Sequence, residues 1–445
     1  MFIIPEYAEN ILRKLDEYGF ESYLAGGCVR DFISGTTPHD YDVTTNALPE
    51  NIKYVFSDYK IICSGEKHGT ITVVSDNNLV EITTYRIDGA YNDHRHPDKV
   101  CFTQYIKEDL KRRDFTINSM AFSPKAGLID PFGGVCDIKS KIIRTTGNPD
   151  ERFKEDALRI LRALRFSSRL GFIIEEQTSE AIFRNKQLIS KISIERIRDE
   201  FVKIISGKNA GSVLRKYKDV IAVFIPEISA EFNFNQNSPY HKYDVWEHTI
   251  HAIDVFNDPI IKLAMFFHDI SKPECYTEDI NGIGHFKGHA FKGAEKTKYI
   301  MKRLKFSSKE IELVTDLVKH HSDEINTEYD IKKKLNLLGE KKFFHLLNVL
   351  RADCMSKQDF CKKSLKKIKD IEVSAQNMIE NNICYSLPQM QINGNDLISI
   401  GFRGKKIGEI LNILLDMIMN KELKNDKTKL IICAKSMFYL QNNGE

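Results

Sequence analysis

The sequence lacks a long hydrophobic run, a CxxC pair and a low-complexity linker. Its apolar stretch near the C-terminus, residues 410–419, is interrupted by Asn412 and Asp416 and is too short to cross a membrane. The nine cysteines are scattered, which is typical of reduced thiols in the cytoplasm. The first ten residues lack the basic start and apolar core of a secretion signal. We therefore predict a cytoplasmic protein with no membrane partner.

The chain also lacks a large excess of charge of either sign. Its 65 lysines and arginines are balanced by 62 aspartates and glutamates, which leaves a net charge of +3. A nucleic-acid partner would therefore be bound by local basic patches. Lysine clusters occur at residues 361–368, 404–406 and 421–429. Taken singly, such clusters are more often solvated surface than a binding face.

The pattern of hydrophobic residues changes near Asp150. Between residues 20 and 146, short β-branched runs alternate with clusters of Gly, Asp and Asn, which is typical of strands and turns. From Asp150 onward, long segments have helical periodicity. We predict an α/β head of about 140 residues that is followed by about 300 residues of helix.

A glycine pair followed by two aspartates is the most informative motif in the head. Gly26 and Gly27 separate a predicted strand from a predicted helix, where backbone N–H groups can approach an anionic phosphate. Asp40 and Asp42 are two residues apart on the next predicted strand, so their side chains would project from the same face. Two carboxylates on one face can bind one or two hard divalent cations. The spacing therefore predicts a site for phosphate and metal.

Consecutive arginines form a second motif in the head, Arg112-Arg113-Asp114. Guanidinium groups bind phosphate oxygens through two parallel hydrogen bonds, so this motif suits a triphosphate. A solvated charged turn explains the same residues equally well.

The third motif, residues 155–166, predicts an amphipathic helix. Asp156, Arg159 and Arg162 would spread over roughly 120° of its surface, and a Glu155–Arg159 pair would stabilise it. The same residues could recognise a base. A carboxylate accepts from the exocyclic amine of cytosine or adenine, and a guanidinium donates to the neighbouring ring nitrogen. Uracil and guanine present a carbonyl oxygen in place of the amine and a ring N–H in place of the bare ring nitrogen. Asp156 and Arg159 would therefore select C and A without a template.

Histidines are concentrated in the middle of the helical part, where eight of the thirteen lie between residues 241 and 321. A lone histidine is more often structural, but histidines and aspartates in this order suit a transition metal such as Mn, Ni or Fe. The candidate ligands are His248, His268, Asp269, His289, His320 and Asp353.

As a set, the head and helix motifs resemble class II tRNA nucleotidyltransferases, the CCA-adding enzymes of the polymerase-β-like superfamily. The motifs that carry the resemblance are GG-x-VRD (26–31) with DYD (40–42), RRDFTIN (112–118), DPFGG (130–134), EDALRILRALRF (155–166) and ERIRDEF (195–201). The resemblance implies template-independent addition of CTP and then ATP to the 3′ end of tRNA. It implies that Asp40 and Asp42 are catalytic and bind Mg²⁺. The nucleotide site that it implies comprises Gly26, Gly27, Arg30, Arg113, Asp156, Arg159, Arg162 and Arg165.

The histidine set resembles an HD domain, a helical module in which His…His-Asp…Asp binds one metal and further histidines bind another. Such modules hydrolyse phosphate esters, for example a 2′,3′-cyclic phosphate on a damaged tRNA end, or serve only as a helical body. The resemblances together predict four parts: a nucleotidyltransferase head (1–146), a base-recognising neck (147–210), a body with the HD module (211–390) and a tRNA-binding tail (391–445).

Three alternatives remain open at the level of sequence. Enzymes that add only A and bacterial poly(A) polymerases share most of these motifs, and an HD phosphohydrolase could carry a head that only binds RNA. Enzymes that add only CC lack a flexible-loop segment that is present here from Arg86. Where the family usually has Gly-Arg-Arg, that segment has His94-Arg95-His96. The intact paired carboxylates argue against a head that only binds, since binding alone does not require them.

Overall fold

The computed structural model describes residues 3–89, 100–238, 242–357 and 361–442. The chain divides into two compact units between Ser229 and Ala230. Residues 211–229, which we expected to open the body, therefore belong to the first unit with the head and neck. The loop residues His94-Arg95-His96 lie outside the described residues.

The head contains a mixed sheet of seven strands. The strands in this part of the chain are β1 (Ser22–Ala25), β2 (Val43–Thr45), β3 (Lys60–Ile62), β4 (Thr70–Ser75), β5 (Asn78–Thr84), β6 (Arg86–Asp88), β7 (Val100–Phe102), β8 (Ala121–Ser123) and β9 (Gly127–Ile129). The sheet order is β3-β4-β5-β2-β1-β8-β9, with β2 and β5 parallel and the other neighbours antiparallel. Strands β6 and β7 form a separate antiparallel pair.

Short helices cover the sheet. They are α1 (Glu6–Glu17), α2 (Gly27–Ile33), α3 (Pro49–Val55), α4 (Ile106–Lys111) and α5 (Gly134–Ser140). Helix α1 buries Ala8, Ile11, Leu12 and Leu15, whose spacing of three and four residues places them on one face. The buried face of the helix and the sheet thus share one core.

The neck continues the first unit as helices. They are α6 (Pro149–Glu155), α7 (Leu158–Leu170), α8 (Glu176–Asn185), α9 (Ile194–Ile205), α10 (Ala210–Lys216) and α11 (Lys218–Ile221), and a short parallel pair joins β10 (Ile142–Ile143) to β11 (Ile173–Ile174). Residues 155–166 do not form one continuous helix as predicted. Asp156 has extended backbone (φ −133°, ψ 103°), and its Oδ1 accepts a hydrogen bond from Leu158 N at 3.1 Å. An aspartate that bonds its own following backbone competes with helix continuation, which explains the break.

The second unit is largely helical. Its elements are α12 (Val245–Ile253), α13 (Pro259–Phe267), a hairpin of β12 (Thr277–Glu278) and β13 (Gly284–His285), α14 (His289–Arg303), α15 (Ser308–His320), α16 (Glu328–Ser356), α17 (Cys361–Glu380), α18 (Gly394–Ile400), α19 (Lys405–Met419) and α20 (Lys427–Asn442). Gly339, with φ 73°, interrupts α16. Among the helices described, none is long and apolar enough to span a bilayer.

Candidate nucleotide site and metal centre

A cavity of about 560 Å³ opens in the first unit beside the glycine turn between β1 and α2. All eight residues predicted to bind nucleotide line it, together with Asp42. The other lining residues are Arg112, Asp114, Asn118, Phe166, Arg169 and Lys203. Cationic side chains greatly outnumber carboxylates in this lining, as a bound triphosphate would require.

The glycine turn is shaped to receive an arginine. Gly26 has φ 77°, and a Cβ at this position would lie 2.8 Å from Nη1 of Arg113. Only glycine therefore permits both this backbone conformation and the close approach of the guanidinium. The next residue, Gly27, begins α2 and lies against the same cavity.

The two aspartates lie just before β2 and not on a strand as predicted. Pairing of β2 with β1 begins only at Val43, opposite Leu24. The Asp42 carbonyl still accepts the Ala25 N–H at 3.0 Å, which places Asp42 beside the glycine turn. Both aspartates are exposed to solvent, but only Asp42 lines the cavity.

Asp42 lies among other negative charges. Burial of its carboxyl in the concave site raises its pKa from 3.8 to about 6, with a further rise from Glu81 and Asp40 and a partial offset by Arg113. Glu81 is on β5, which is adjacent to β2 in the sheet. A divalent cation would relieve this repulsion, so the carboxylate donors fit a hard metal ion.

Two polar residues of the second arginine motif orient the arginines of the cavity. Asp114 accepts a hydrogen bond from Arg162 Nε at 2.7 Å, and Asn118 accepts one from Arg30 Nη1 at 2.7 Å. Burial alone would raise the Asp114 pKa, but Arg162 and Asn118 lower it to about 2. Both residues belong to the RRDFTIN motif, but neither was among the predicted site residues. Their partners are on other elements and become visible only in three dimensions.

Phe166 is a second residue that the sequence did not identify. Its ring lies 5.2 Å from the guanidinium carbon of Arg30, 5.6 Å from that of Arg162 and 4.4 Å from that of Arg165. Arginine planes that pack on an aromatic face gain cation–π attraction and lose freedom. Arg165 is also held by Glu200, whose Oε1 lies 2.9 Å from Nη1.

Asp156 and Arg159 lie in the same cavity, but each already has protein partners. Besides the Leu158 N–H, Asp156 binds Arg196 Nη2 at 3.2 Å through its second oxygen. Arg159 forms the predicted pair with Glu155 at 2.6 Å and donates to the carbonyls of Arg152 and Arg112. Three of the five guanidinium N–H groups are thus used, and the carboxylate retains free lone pairs. Both groups keep capacity to contact a base.

The second unit brings its histidines together in one cluster. His248 and His268 meet through their Nε2 atoms at 3.2 Å, and Asp269 Oδ2 and Asp353 Oδ1 lie beside them at 3.0–3.8 Å. On the other side of Asp269, Oδ1 lies 3.5 Å from His289 Nε2 and 3.6 Å from His321 Nε2. We call these six residues the histidine cluster.

His320, which we predicted as a ligand, lies outside the histidine cluster. His320 Nδ1 instead lies 2.6 Å from Asp323 Oδ2 and 3.1 Å from Lys334 Nζ. His321 takes the place in the cluster, 3.1 Å from His289 between their Nε2 atoms. Neighbouring positions at the end of a helix differ by about 100° in direction, so the sequence pattern could not separate them.

Hydrogen bonds behind the cluster orient three of its histidine rings. Three histidines bond a backbone carbonyl through Nδ1: His268 with Met265 at 2.7 Å, His289 with Phe286 at 2.7 Å and His321 with Val318 at 2.6 Å. The other ring nitrogen of each, Nε2, points toward the centre of the cluster, the orientation that second-sphere hydrogen bonds give to metal-binding histidines. Burial lowers the pKa of His248 and of His289 to about 4, so both are neutral at pH 7.

Asp269 is the central residue of the cluster. Both of its oxygens are buried, and each lies near charged or histidine nitrogens of the cluster. Lys272 Nζ lies 2.8 Å from Oδ2 as an ion pair, and Lys357 Nζ lies 2.6 Å from the outer oxygen of Asp353. A buried carboxylate between two histidine pairs is a donor set that suits divalent transition metals.

Comparison with known families matches the chain in three places. Residues 22–144 match the poly A polymerase head domain, residues 171–231 the RNA and SrmB binding site of polymerase A, and residues 289–434 the tRNA nucleotidyltransferase domain 2. Together with the mixed sheet and the arginine-rich cavity, these matches define a nucleotidyltransferase with a head of the poly(A) polymerase type.

The curated relatives are CCA-adding enzymes. That of Lactobacillus delbrueckii subsp. bulgaricus is 48% identical over 220 residues, 49% of this chain and 54% of the relative, so the chain spans about half of its length. That of Lactobacillus helveticus is 40% identical over 286 residues, 63% of this chain and 70% of the relative. That of Lactobacillus johnsonii is 48% identical over 280 residues, which are 61% of this chain and 69% of the relative. The chain belongs to the CCA-adding enzyme family.

Solved structures of the same family share the fold. The Bacillus stearothermophilus CCA-adding enzyme in complex with CTP superposes with a TM-score of 0.73 at 24% identity and covers 100% of both chains. The Thermotoga maritima CCA-adding enzyme complexed with tRNA gives 0.59 at 21% identity, covering 98% of this chain and 96% of that chain. The predicted architecture, an α/β nucleotidyltransferase head followed by a largely helical remainder, is confirmed.

Proposed function

We propose that this chain adds C, C and A to the 3′ end of tRNA, from CTP and ATP, without a nucleic-acid template. The supporting observation is the single cavity that combines Asp42, the glycine turn, the arginines and the Asp156–Arg159 pair. Membership of the CCA-adding family supports the same assignment. Scattered cysteines favour the cytoplasm as the place of action.

In the proposed reaction, the protein mainly positions the substrates and neutralises charge. Arg30 and Arg113 bind the triphosphate over the glycine turn. Asp156 and Arg159 contact the pairing edge of the base with their remaining lone pairs and N–H groups. The tRNA 3′ hydroxyl loses its proton, its oxygen bonds to the α-phosphorus of the nucleotide, and pyrophosphate leaves.

Asp42, with Asp40, is the proposed ligand set for Mg²⁺. When bound there, the ion supplies Lewis acidity that lowers the hydroxyl pKa and stabilises the leaving pyrophosphate. We propose that the tRNA is bound through phosphate contacts by the lysine-rich segments, among them residues 404–406 and 421–429.

A direct assay tests the proposed reaction. Purified protein is incubated with Mg²⁺ and a tRNA that ends at its discriminator base, and the added sequence is determined with CTP and ATP alone and together. We expect CC with CTP alone and CCA with both. Addition of A only to a tRNA that already ends in CC would indicate the A-only enzyme. A long A tail without use of CTP would indicate poly(A) polymerase, and either result would replace our proposal.

We also propose that the histidine cluster is an HD-type metal centre of a phosphohydrolase. The specific support is the position of Asp269 between two histidine pairs, with which it forms two candidate sets of metal ligands. Metals of the Mn, Ni or Fe type suit this donor set and would activate a water molecule there. A cavity of about 460 Å³ adjoins the cluster, and Lys272 and Lys357 in its wall could bind a phosphate group.

His321→Ala and His320→Ala form a matched pair for testing this centre. Both are prepared in an Asp42→Asn background, so that metal in the head does not contribute. Because only His321 faces Asp269, we expect His321→Ala to weaken Ni²⁺ or Mn²⁺ binding by about tenfold or more, and His320→Ala to leave it nearly unchanged. Titration calorimetry measures binding, and hydrolysis of 2′,3′-cyclic AMP measures activity. Stronger damage from His320→Ala would refute the assignment of ligands, and no hydrolysis by the parent protein would refute the phosphohydrolase.

A further inference from the structure

Asp109 is a buried carboxylate that touches neither the cavity nor any proposed metal ligand. It lies on α4, has a relative exposure of 0%, and is followed by the buried Leu110, which packs into the core beneath the sheet. Such a position normally excludes charge, because an ionised carboxylate loses its hydration on burial. A charged group here therefore requires strong partners.

Two of those partners are the adjacent arginines of the cavity. Asp109 Oδ1 accepts hydrogen bonds from Arg112 Nε at 2.9 Å and Nη2 at 2.7 Å. Its Oδ2 accepts one from Arg113 Nη2 at 3.3 Å. The attraction of both guanidinium groups outweighs burial and lowers the Asp109 pKa, so the carboxylate stays ionised. One buried anion thus holds two cations that would otherwise repel each other.

The other partners connect Asp109 to the strand that follows the metal aspartates. Oδ2 lies 3.2 Å from Thr44 Oγ1, and Thr44 is two residues beyond Asp42 on β2. Oδ1 lies 3.4 Å from the backbone N of Arg86, where β6 begins. The same carboxylate is therefore fixed to β2 and to β6 while it orients the arginines.

The free ends of these arginines face the cavity. Both guanidinium groups line it, and Nη1 of Arg113 lies over Gly26, as shown by the 2.8 Å distance to a Cβ built there. The Arg112 carbonyl accepts Arg159 Nη2 at 3.0 Å, so the same turn also supports the base-contacting residue. The orientation of these groups matters, because displacement of a contact by only 1 Å can lower the rate about 100-fold.

We propose that Asp109 is a positioning residue for nucleotide binding, which holds Arg112 and Arg113 at the spacing of a triphosphate and in register with the strand that follows Asp42. This role rests on the proposed function of the cavity. Asp109 acts through the arginines and never contacts the nucleotide.

Asp109→Asn tests the role, because it keeps the shape of the side chain and removes its charge. The matched control is Asp137→Asn. Asp137 is also a buried aspartate of the head, bound to Thr116 Oγ1 at 2.6 Å and Arg144 Nε at 3.2 Å, but it does not line the cavity. The probes are inorganic tripolyphosphate, by titration calorimetry, and CTP and ATP, by the KM and kcat of addition.

We expect Asp109→Asn to weaken tripolyphosphate binding and to raise both KM values by about tenfold to a hundredfold, the range for a lost hydrogen bond to a charged group, with a smaller change in kcat. Asp137→Asn should leave tripolyphosphate binding, both KM values and kcat close to those of the parent. In an Arg112→Ala/Arg113→Ala background, Asp109→Asn should have no further effect, because the groups through which it acts are gone.

The results distinguish failure of this inference from failure of the proposed function. If the parent protein does not bind tripolyphosphate, the cavity is not a triphosphate site. If the parent binds it and Asp109→Asn binds it equally well, or loses only as much as Asp137→Asn, the positioning role is wrong. Should Asp109→Asn fail to fold, Thr44→Val removes one hydrogen bond to the carboxylate and leaves its charge paired. That variant should weaken tripolyphosphate binding by about threefold, and unchanged binding would overturn the inference.

Discussion

Replacing Asp42 with asparagine should slow nucleotide addition by about a thousandfold and should also make the metal-free protein more resistant to heat. The loss of rate follows because a bound metal ion supplies several kcal/mol of transition-state stabilisation, and each 1.4 kcal/mol is about tenfold in rate. The gain in stability follows from the Asp42 pKa of about 6, which is raised first by loss of hydration in the cavity and then by repulsion from Glu81 and Asp40. The gain should be small, because the residue keeps contact with solvent. A neutral amide has no such repulsion.

The pH dependence of this stability gain has a definite sign. The folded carboxyl has a pKa of about 6 against 3.8 for the ordinary group, so the folded state holds its proton more tightly. Ionised Asp42 therefore destabilises the folded state fully above pH 6, and this penalty disappears as the pH falls toward 3.8. Melting in EDTA should show the advantage of Asp42→Asn at pH 7.5 and little of it at pH 4.5. The Mg²⁺ concentration for half-maximal rate should rise below pH 6 in the parent, as protons compete.

A matched control separates this local effect from a general loss of negative charge. Asp16→Asn removes an exposed carboxylate of α1 that pairs with Lys125 at 2.6 Å, away from the nucleotide cavity. It should change neither the rate nor the Mg²⁺ requirement, since exposed pairs contribute little. A full rate for Asp42→Asn would remove the central assumption of the proposed mechanism. A lower melting temperature for Asp42→Asn at pH 7.5 would show that its carboxylate is stabilised by partners rather than strained.

The parts of the site that the sequence predicted are those that depend on local spacing. Gly26 and Gly27 could be identified because they form a glycine pair between a strand and a helix, and Gly26 has the positive φ that such a turn requires. The arginines and Asp156 could be identified because they lie in compact motifs. Helical periodicity similarly predicted the change of fold near Asp150, since one buried face repeats along each helix.

What the sequence did not predict depends on contacts between distant segments. Asp114 and Glu200 are buried acids whose arginine partners lie 48 and 35 residues away along the chain, so no local pattern distinguishes them from surface acids. Asp109 pairs with Arg112 and Arg113 at helical spacing, but its burial depends on the fold. The position of His321 rather than His320 in the cluster depends on the direction of each side chain at the end of helix α15, which periodicity does not resolve. The predicted helix over residues 155–166 is interrupted at Asp156, because the side chain of Asp156 accepts a hydrogen bond from the Leu158 N–H.

Asp156→Ala should weaken rejection of UTP and GTP by about tenfold to a hundredfold while leaving the Mg²⁺ requirement unchanged. The carboxylate is the group that would accept from the exocyclic amine of C or A, and loss of one such hydrogen bond is worth about 1.5–3 kcal/mol. The measurement is kcat/KM for each of the four nucleotides on the same tRNA. Asp150→Asn is the control, because Asp150 is also in the neck but pairs with Arg184 and does not line the cavity.

Asp156→Asn should only partly relax the rejection of UTP and GTP. This partial change would indicate base recognition and not a general structural role. An amide can turn its N–H toward the carbonyl oxygen of uracil or guanine, which removes one of the two mismatches. The second mismatch remains, because Arg159 is a donor and would face the ring N–H of either base. Its guanidinium cannot turn away freely, since Glu155 and two backbone carbonyls hold it. UTP and GTP should therefore enter more readily than in the parent, yet more slowly than CTP and ATP. If both variants still reject UTP and GTP as the parent does, selection of the base does not depend on Asp156.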